Sequence, residues 1–160
     1  MTTQAVIYCI DASAFIDGWR RYYPPDVLPS LWSRIGDLAE EGRIKTPEEV
    51  RLELRRGADE LFAWVGNYDQ MFMLATEEIQ TRVSGIVNSF PNFLPERSPD
   101  GVWADPYVIA VAQEHNGIVV TGEKPADANA RHPKIPNICN ALGIMCVSLL
   151  DLMRRENWRF

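Results

Sequence analysis

With 160 residues, 46% of them hydrophobic and 24% charged, the chain has the size and composition of one globular domain spanning 1–160. Its net charge of −6 argues against holding nucleic acid by bulk charge, but not against a nuclease whose acids first bind metal. No apolar run nears the ~20 residues of a membrane helix, Met1-Thr2-Thr3-Gln4 lacks the basic region of a signal peptide, and Cys9, Cys139 and Cys146 form no Cys-x-x-Cys pair, so a cytoplasmic protein is expected.

The first predicted element is the apolar run Val6 to Ile10, a strand that stops at Asp11. A helix follows from Ser13 to about Tyr22, ended by Pro24-Pro25. Leu31, Trp32, Ile35, Leu38 and Ala39 give Leu28 to Glu41 a helical stripe, and Gly42 closes it. Arg43 to Thr46 reads as a short second strand. Thr46 then has the position of an N-cap, with Pro47 at N1 and Glu48 and Glu49 behind it, for a helix reaching Arg56. A further helix begins at Ala58 or Asp59 and carries Leu61, Phe62, Trp64 and Val65. Tyr68 to Leu74 is irregular. Thr76 caps an acidic first turn for the helix with Ile79, Val83, Ile86 and Val87.

Phe90 to Gly101 is a Pro-rich loop. Asp105-Pro106 opens an apolar helix, and Ile118 to Thr121 is the clearest strand after the first. Gly122 to Pro136 is a polar loop, Pro136 to Leu142 a short helix, Ile144 to Val147 a last strand, and Ser148 to Glu156 a last helix. This alternation predicts an α/β fold with a central, mainly parallel sheet of about four to five strands covered on both faces. The helices between Leu28 and Val87 form an inserted block at one side.

Three acids fall at element ends, where a parallel sheet opens its cleft: Asp11 after the first strand, Asp105 at a helix start and Glu123 after the Ile118 strand. Glu53 lies within a helix but borders its buried stripe. Each acid alone also fits a structural role, as a helix cap, a dipole partner or an ion pair. Several carboxylates at one cleft must share protons or bind a cation, and Mg²⁺ or Mn²⁺ suits an oxygen-only donor set. Two such ions can promote phosphodiester hydrolysis. Two histidines and no Cys cluster argue against zinc, and the glycine motifs of nucleotide cofactors are absent.

Four blocks in order resemble the PIN domain, the metal-dependent ribonuclease fold of many toxins of the VapC type. They are Ile10-Asp11-Ala12-Ser13-Ala14-Phe15-Ile16, the run from Ile44 through Thr46 to Glu53-Leu54, Ala104-Asp105-Pro106 through Ala112, and Val119-Val120-Thr121-Gly122-Glu123. Glu123 stands where the family usually has Asp, so its carboxylate is shifted outward. The tail from Lys134 to Leu152 is similar to a PIN subgroup of unassigned function.

The resemblance implies a three-layer α/β/α fold and an Mg²⁺- or Mn²⁺-dependent endoribonuclease. Asp11, Glu53, Asp105 and Glu123 would be its catalytic metal ligands, with Ser13 and Thr121 orienting them. Lys124, Arg131 and Lys134 would steer the RNA backbone, with Arg20, Arg21 and Arg55 as further candidates. Tyr22, Tyr23, Trp19 and Trp103 could stack bases or pack internally. A cognate antitoxin and a homodimer are implied partners, the dimer using bulky groups such as Trp32, Phe62, Trp64, Met71, Phe72 and Met73. The alternative is a non-catalytic protein-interaction module on the same fold. An aspartate-phosphorylated α/β domain fits less well, because Ser13 stands where its phosphatase type has a second Asp.

Overall fold

The computed structural model describes residues 5–57, 59–95 and 100–160. Met1-Thr2-Thr3-Gln4, the alternative helix start Ala58 and part of the loop before Gly101 lie outside the described residues.

The chain alternates short parallel strands with helices. β1 (Tyr8–Ile10) leads into α1 (Ala12–Asp17), which runs on as a π-helical turn, Gly18–Tyr22. α2 (Pro29–Glu40), β2 (Thr46–Pro47), α3 (Glu48–Arg55), α4 (Glu60–Val65), β3 (Phe72–Met73) and α5 (Glu77–Ser89) follow. The second half contains α6 (Asp105–His115), β4 (Ile118–Val120), α7 (Ile135–Leu142), β5 (Cys146–Val147) and α8 (Leu149–Arg155).

β1, β4 and β5 form a three-stranded parallel sheet in the order β1-β4-β5, with Ile10 opposite Val120 and Val120 opposite Val147. β2 and β3 form a separate parallel pair. The expected single sheet of about four to five strands is therefore two ladders, joined by one bridge between Tyr8 and Ile44. The reason lies at Pro47. Tyr8 N–H donates to Arg43 O, and Lys45 N–H donates to Tyr8 O at 3.0 Å. Two residues on, the ladder needs an N–H from residue 47 for Ile10 O, and proline has none. The Thr46 hydroxyl supplies the missing donor instead, 2.7 Å from Ile10 O. Thr46 is thus not the predicted N-cap of α3; Pro47 holds that place, with no side-chain cap.

Across the bridge, the strands run β3-β2-β1-β4-β5. The chain leaves β1 to one side for β2 and returns on the other side for β4, so the crossover reverses between β1 and β4. Ligand clefts of parallel sheets open at such a point, beyond the carboxyl ends of the strands.

The predicted cap at Thr76 is present, and Asp59 and Ser148 cap their helices as well. Thr76 Oγ1 accepts from Ile79 N–H, Asp59 from Phe62 N–H, and Ser148 Oγ from Asp151 N–H. α6 is apolar nearly all round because it is buried nearly all round, with Val108 to Ala112 inside the core. It rests on β1, β2 and β4, and α5 lies along it. The helical block is therefore looser than expected: α2 packs on the Asp69–Met71 turn and α3 on α1 and α4, while α5 sides with α6.

Trp19, Trp32, Trp64 and Tyr68 form a chain of ring contacts, with centroids 4.8, 5.3 and 4.9 Å apart. Trp32, Met71 and Phe72 are buried in this core, and Phe62, Trp64 and Met73 pack against it half-buried. Cys9 and Cys139 are buried free thiols, and Cys146 is a half-buried one. Among the described residues, no helix is long and apolar enough to cross a membrane.

Candidate active site

Asp11 follows β1 at the N-cap position of α1, yet its carboxylate is not spent on capping. Its Oδ2 accepts from Ser13 Oγ at 2.6 Å and from Thr121 Oγ1 at 3.0 Å. Thr121 directly follows β4, so its bond to Asp11 ties the carboxyl ends of β1 and β4 together. The loop after β4 is tied to the same hydroxyls: Gly122 N–H donates to Ser13 Oγ and Glu123 N–H to Thr121 Oγ1. Asp11 is 2% exposed. Burial pushes its pKa up, while the Ser13 and Thr121 hydroxyls pull it back.

The other three predicted acids come to the same edge. Asp105 occupies the first turn of α6. Burial, and then the charges of Asp11, Glu123 and Glu53, push its pKa up to about 8. That one carboxyl senses the other three places it among them. Glu53 accepts from Ala104 N–H through Oε1 at 2.8 Å, which fastens α3 to the start of α6. Its pKa rises to about 6, chiefly by burial, with Asp11 adding repulsion. Arg56 reaches Glu53 at 3.8 Å and grips Asp100 and the Val102 carbonyl. Glu123 Oε2 accepts from Ile135 N–H at the first turn of α7. The longer side chain expected to swing outward is thus anchored by that helix.

The predicted cations separate. Lys124 lines a cavity of about 310 Å³ beside Glu123 and Thr121. Arg131 lines a different cavity, of about 300 Å³, against Ser89 to Asn92. Lys134 precedes α7. Arg20 is paired with Asp59 at 2.5 Å. The loop carrying Lys124 and Arg131 is closed by Asn137, whose Oδ1 accepts from Ala126 N–H and Lys134 N–H and whose Nδ2 donates to Ala126 O.

Of the aromatic candidates, Trp19 belongs to the core and Trp103 stacks on Phe93 at 5.1 Å. The buried Trp103 Nε1–H has no partner in hydrogen-bond geometry, but it lies near enough to Asp105 to lower its pKa slightly. Asp17 was not among the expected site residues. It lines the Lys124 cavity with Ala14 and Gly18, and that i, i+3, i+4 spacing was the available signal. A Cβ at Gly122 would lie 2.6 Å from Asp17 Oδ2 and 3.1 Å from Ser13 O, so a side chain there would displace Asp17 and crowd the Ser13 carbonyl.

The chemistry of the donor set suits a hard divalent cation. All four side chains are carboxylates, and Asp105 is pushed up to about 8 first by burial and then by the charges of Asp11, Glu123 and Glu53. Among the described residues, no three acids are close enough to hold one ion.

Fold and site together define a parallel α/β domain with acids at its strand-order switch. The chain belongs to the family described as domain of unknown function DUF4411, whose model matches residues 8–160. No curated protein matches it.

Proposed function

We propose that this chain is an Mg²⁺- or Mn²⁺-dependent endoribonuclease of PIN-domain type, with a three-layer α/β/α arrangement and a cytoplasmic setting. The observation that carries the reading is Asp105. Its carboxyl is raised to about 8 by burial and by three further acids, all at one sheet edge. Asp11, Glu53, Asp105 and Glu123 are the residues that would hold the cation. When bound, it supplies an activated water and stabilises the leaving oxygen of a phosphodiester.

The chain's own groups set the geometry. Ser13 and Thr121 fix the Asp11 rotamer by two hydrogen bonds to Oδ2. The Ala104 amide fixes Glu53, and the Ile135 amide fixes Glu123. Asp105 must release its proton to take up a cation, so loading is coupled to pH. The resemblance of the four sequence blocks to PIN toxins supports RNA as substrate and a cognate antitoxin and homodimer as partners.

A second reading, a PIN-shaped interaction module without catalysis, draws on the open spacing of the acids. Incubating RNA and Mn²⁺ with the wild type and with Asp11→Asn separates the two. Cleavage by the wild type alone supports the enzyme. Equal cleavage by both proteins removes the site, and no metal uptake by calorimetry favours the module.

A further inference from the structure

The cavity beside Glu123 has features that the acid site does not use. Tyr22 ends the π-helical turn and is 64% exposed; among the described residues, no aromatic side chain is more exposed. It lines the cavity of about 310 Å³ together with Lys124, Leu150 and Asp17. Thr121 and Glu123 line the same space, so the cavity is continuous with the carboxylate edge. Leu150 is 40% exposed there. Lys124 is exposed and has no ion-pair partner among the described residues.

An aromatic face, an aliphatic edge and an uncompensated ammonium lie next to acids suited to phosphodiester chemistry. A nucleotide offers the matching parts, a flat base and an anionic phosphate. Bases stack on protein aromatics only when they are unpaired and splayed out. A duplex keeps its base faces covered. An apolar peptide would gain from Leu150 and Tyr22 but would leave Lys124 unanswered.

We propose that this cavity seats one unpaired nucleotide of a single-stranded RNA beside the bond to be cut, with its base stacked on Tyr22 and its phosphate drawn to Lys124. The proposal rests on the endoribonuclease reading of the neighbouring acids. It adds that Tyr22 and Lys124 form a subsite that acts in binding rather than in the chemical step.

The test uses the full chain, Mg²⁺ and a labelled single-stranded RNA of mixed sequence, with the matching duplex as control. Tyr22→Ala should raise KM, or the Kd from fluorescence anisotropy if the wild type does not cut, by roughly five- to a hundredfold, the range of one lost base stack. The turnover number should stay within about twofold. Tyr22→Phe, which keeps the ring, should restore binding. Lys124→Ala should lower the slope of log affinity against log salt by about 0.7, the value of one phosphate contact on a single strand. Duplex binding should not respond to Tyr22→Ala. Wild-type affinity in Tyr22→Ala overturns the subsite, as does an equal loss on duplex. If Asp11→Asn stops cleavage while Tyr22→Ala binds normally, the nuclease reading stands and the subsite falls. If binding depends on Tyr22 but nothing is cut, the subsite stands and the nuclease reading falls. No binding of single-stranded RNA overturns both.

Discussion

At the amino end of β1, the buried Tyr8 phenol donates to Glu156 at 2.6 Å, and Arg43 grips the two oxygens of that carboxylate at 2.7 and 2.8 Å. Arg43 holds the Glu156 pKa below the usual carboxylate range. At the carboxyl end, a few residues away, Asp105 is pushed to about 8 by burial and by Asp11, Glu123 and Glu53. The two ends use the same side-chain types oppositely. At the first, folding itself satisfies the charge, and the result ties the last helix to the first strand. At the second, folding brings four like charges to one edge, where Arg56 lies 3.8 Å from Glu53 and burial with mutual repulsion still raises Asp105. That contrast, an ion pair at one end and mutually repelling acids at the other, is what marks the second set as the candidate site.

The contrast can be broken first at the acidic end. Asp105→Asn should lower Mn²⁺-dependent RNA cleavage roughly 10²–10³-fold or more. Because it removes the group that senses three like charges, it should raise the melting temperature above neutral pH. Unchanged cleavage would take Asp105 out of the site. The opposite end should show the reverse pattern. Arg43→Ala leaves Glu156 and Tyr8 without their cation, and should cost about 2–4 kcal/mol of stability, or roughly 5–15 °C in Tm. Well below that Tm, cleavage by Arg43→Ala should match the wild type.

The pH dependence of stability sharpens the comparison. Asp105 and Glu53 are raised, to about 8 and about 6, so the folded chain keeps protons that the unfolded chain has released. Their contribution is full below about pH 4, the ordinary carboxylate range, and is lost as pH climbs through about 6 and then 8. In chelator, Tm should therefore fall by several degrees between about pH 5.5 and about pH 8.5. Glu156, with its lowered pKa, is ionised in both states across this window and adds no slope. Saturating Mg²⁺ should flatten the fall, and a fall that persists unchanged would argue that these acids do not bind it. The smallest effect belongs to the positioning hydroxyl. Ser13→Ala should weaken metal affinity or activity about 10–100-fold while changing stability by less than about 1 kcal/mol.

Much of this was readable along the chain. Asp11, Asp105 and Glu123 stand at element ends, which local patterns show, while Glu53 borders a buried stripe and was singled out by the register of the PIN-like block. The cap at Thr76 was equally local. β3 was missed because two residues carry no periodicity, and Phe72-Met73 reads as part of an irregular turn. Thr46 was misread because its hydroxyl serves Ile10, 36 residues away, in place of an amide that Pro47 lacks. The Tyr8–Glu156 bond spans 148 residues and has no local signature. Asp17 needed the position of the loop after β4, although its spacing from Ala14 and Gly18 hinted at a shared face.

The Asn137 side chain has a consequence for recognition. Its three bonds close the segment between Ala126 and Lys134, so the loop that follows the fourth acid is ordered before any ligand arrives. A flexible loop would lose backbone freedom on binding, of the order of 1–2 kcal/mol for each residue fixed. Here that entropy is surrendered during folding, at a residue two positions along α7 from Ile135, whose N–H anchors Glu123. Affinity at this edge therefore depends partly on an amide whose bonds go to the backbone of Ala126 and Lys134.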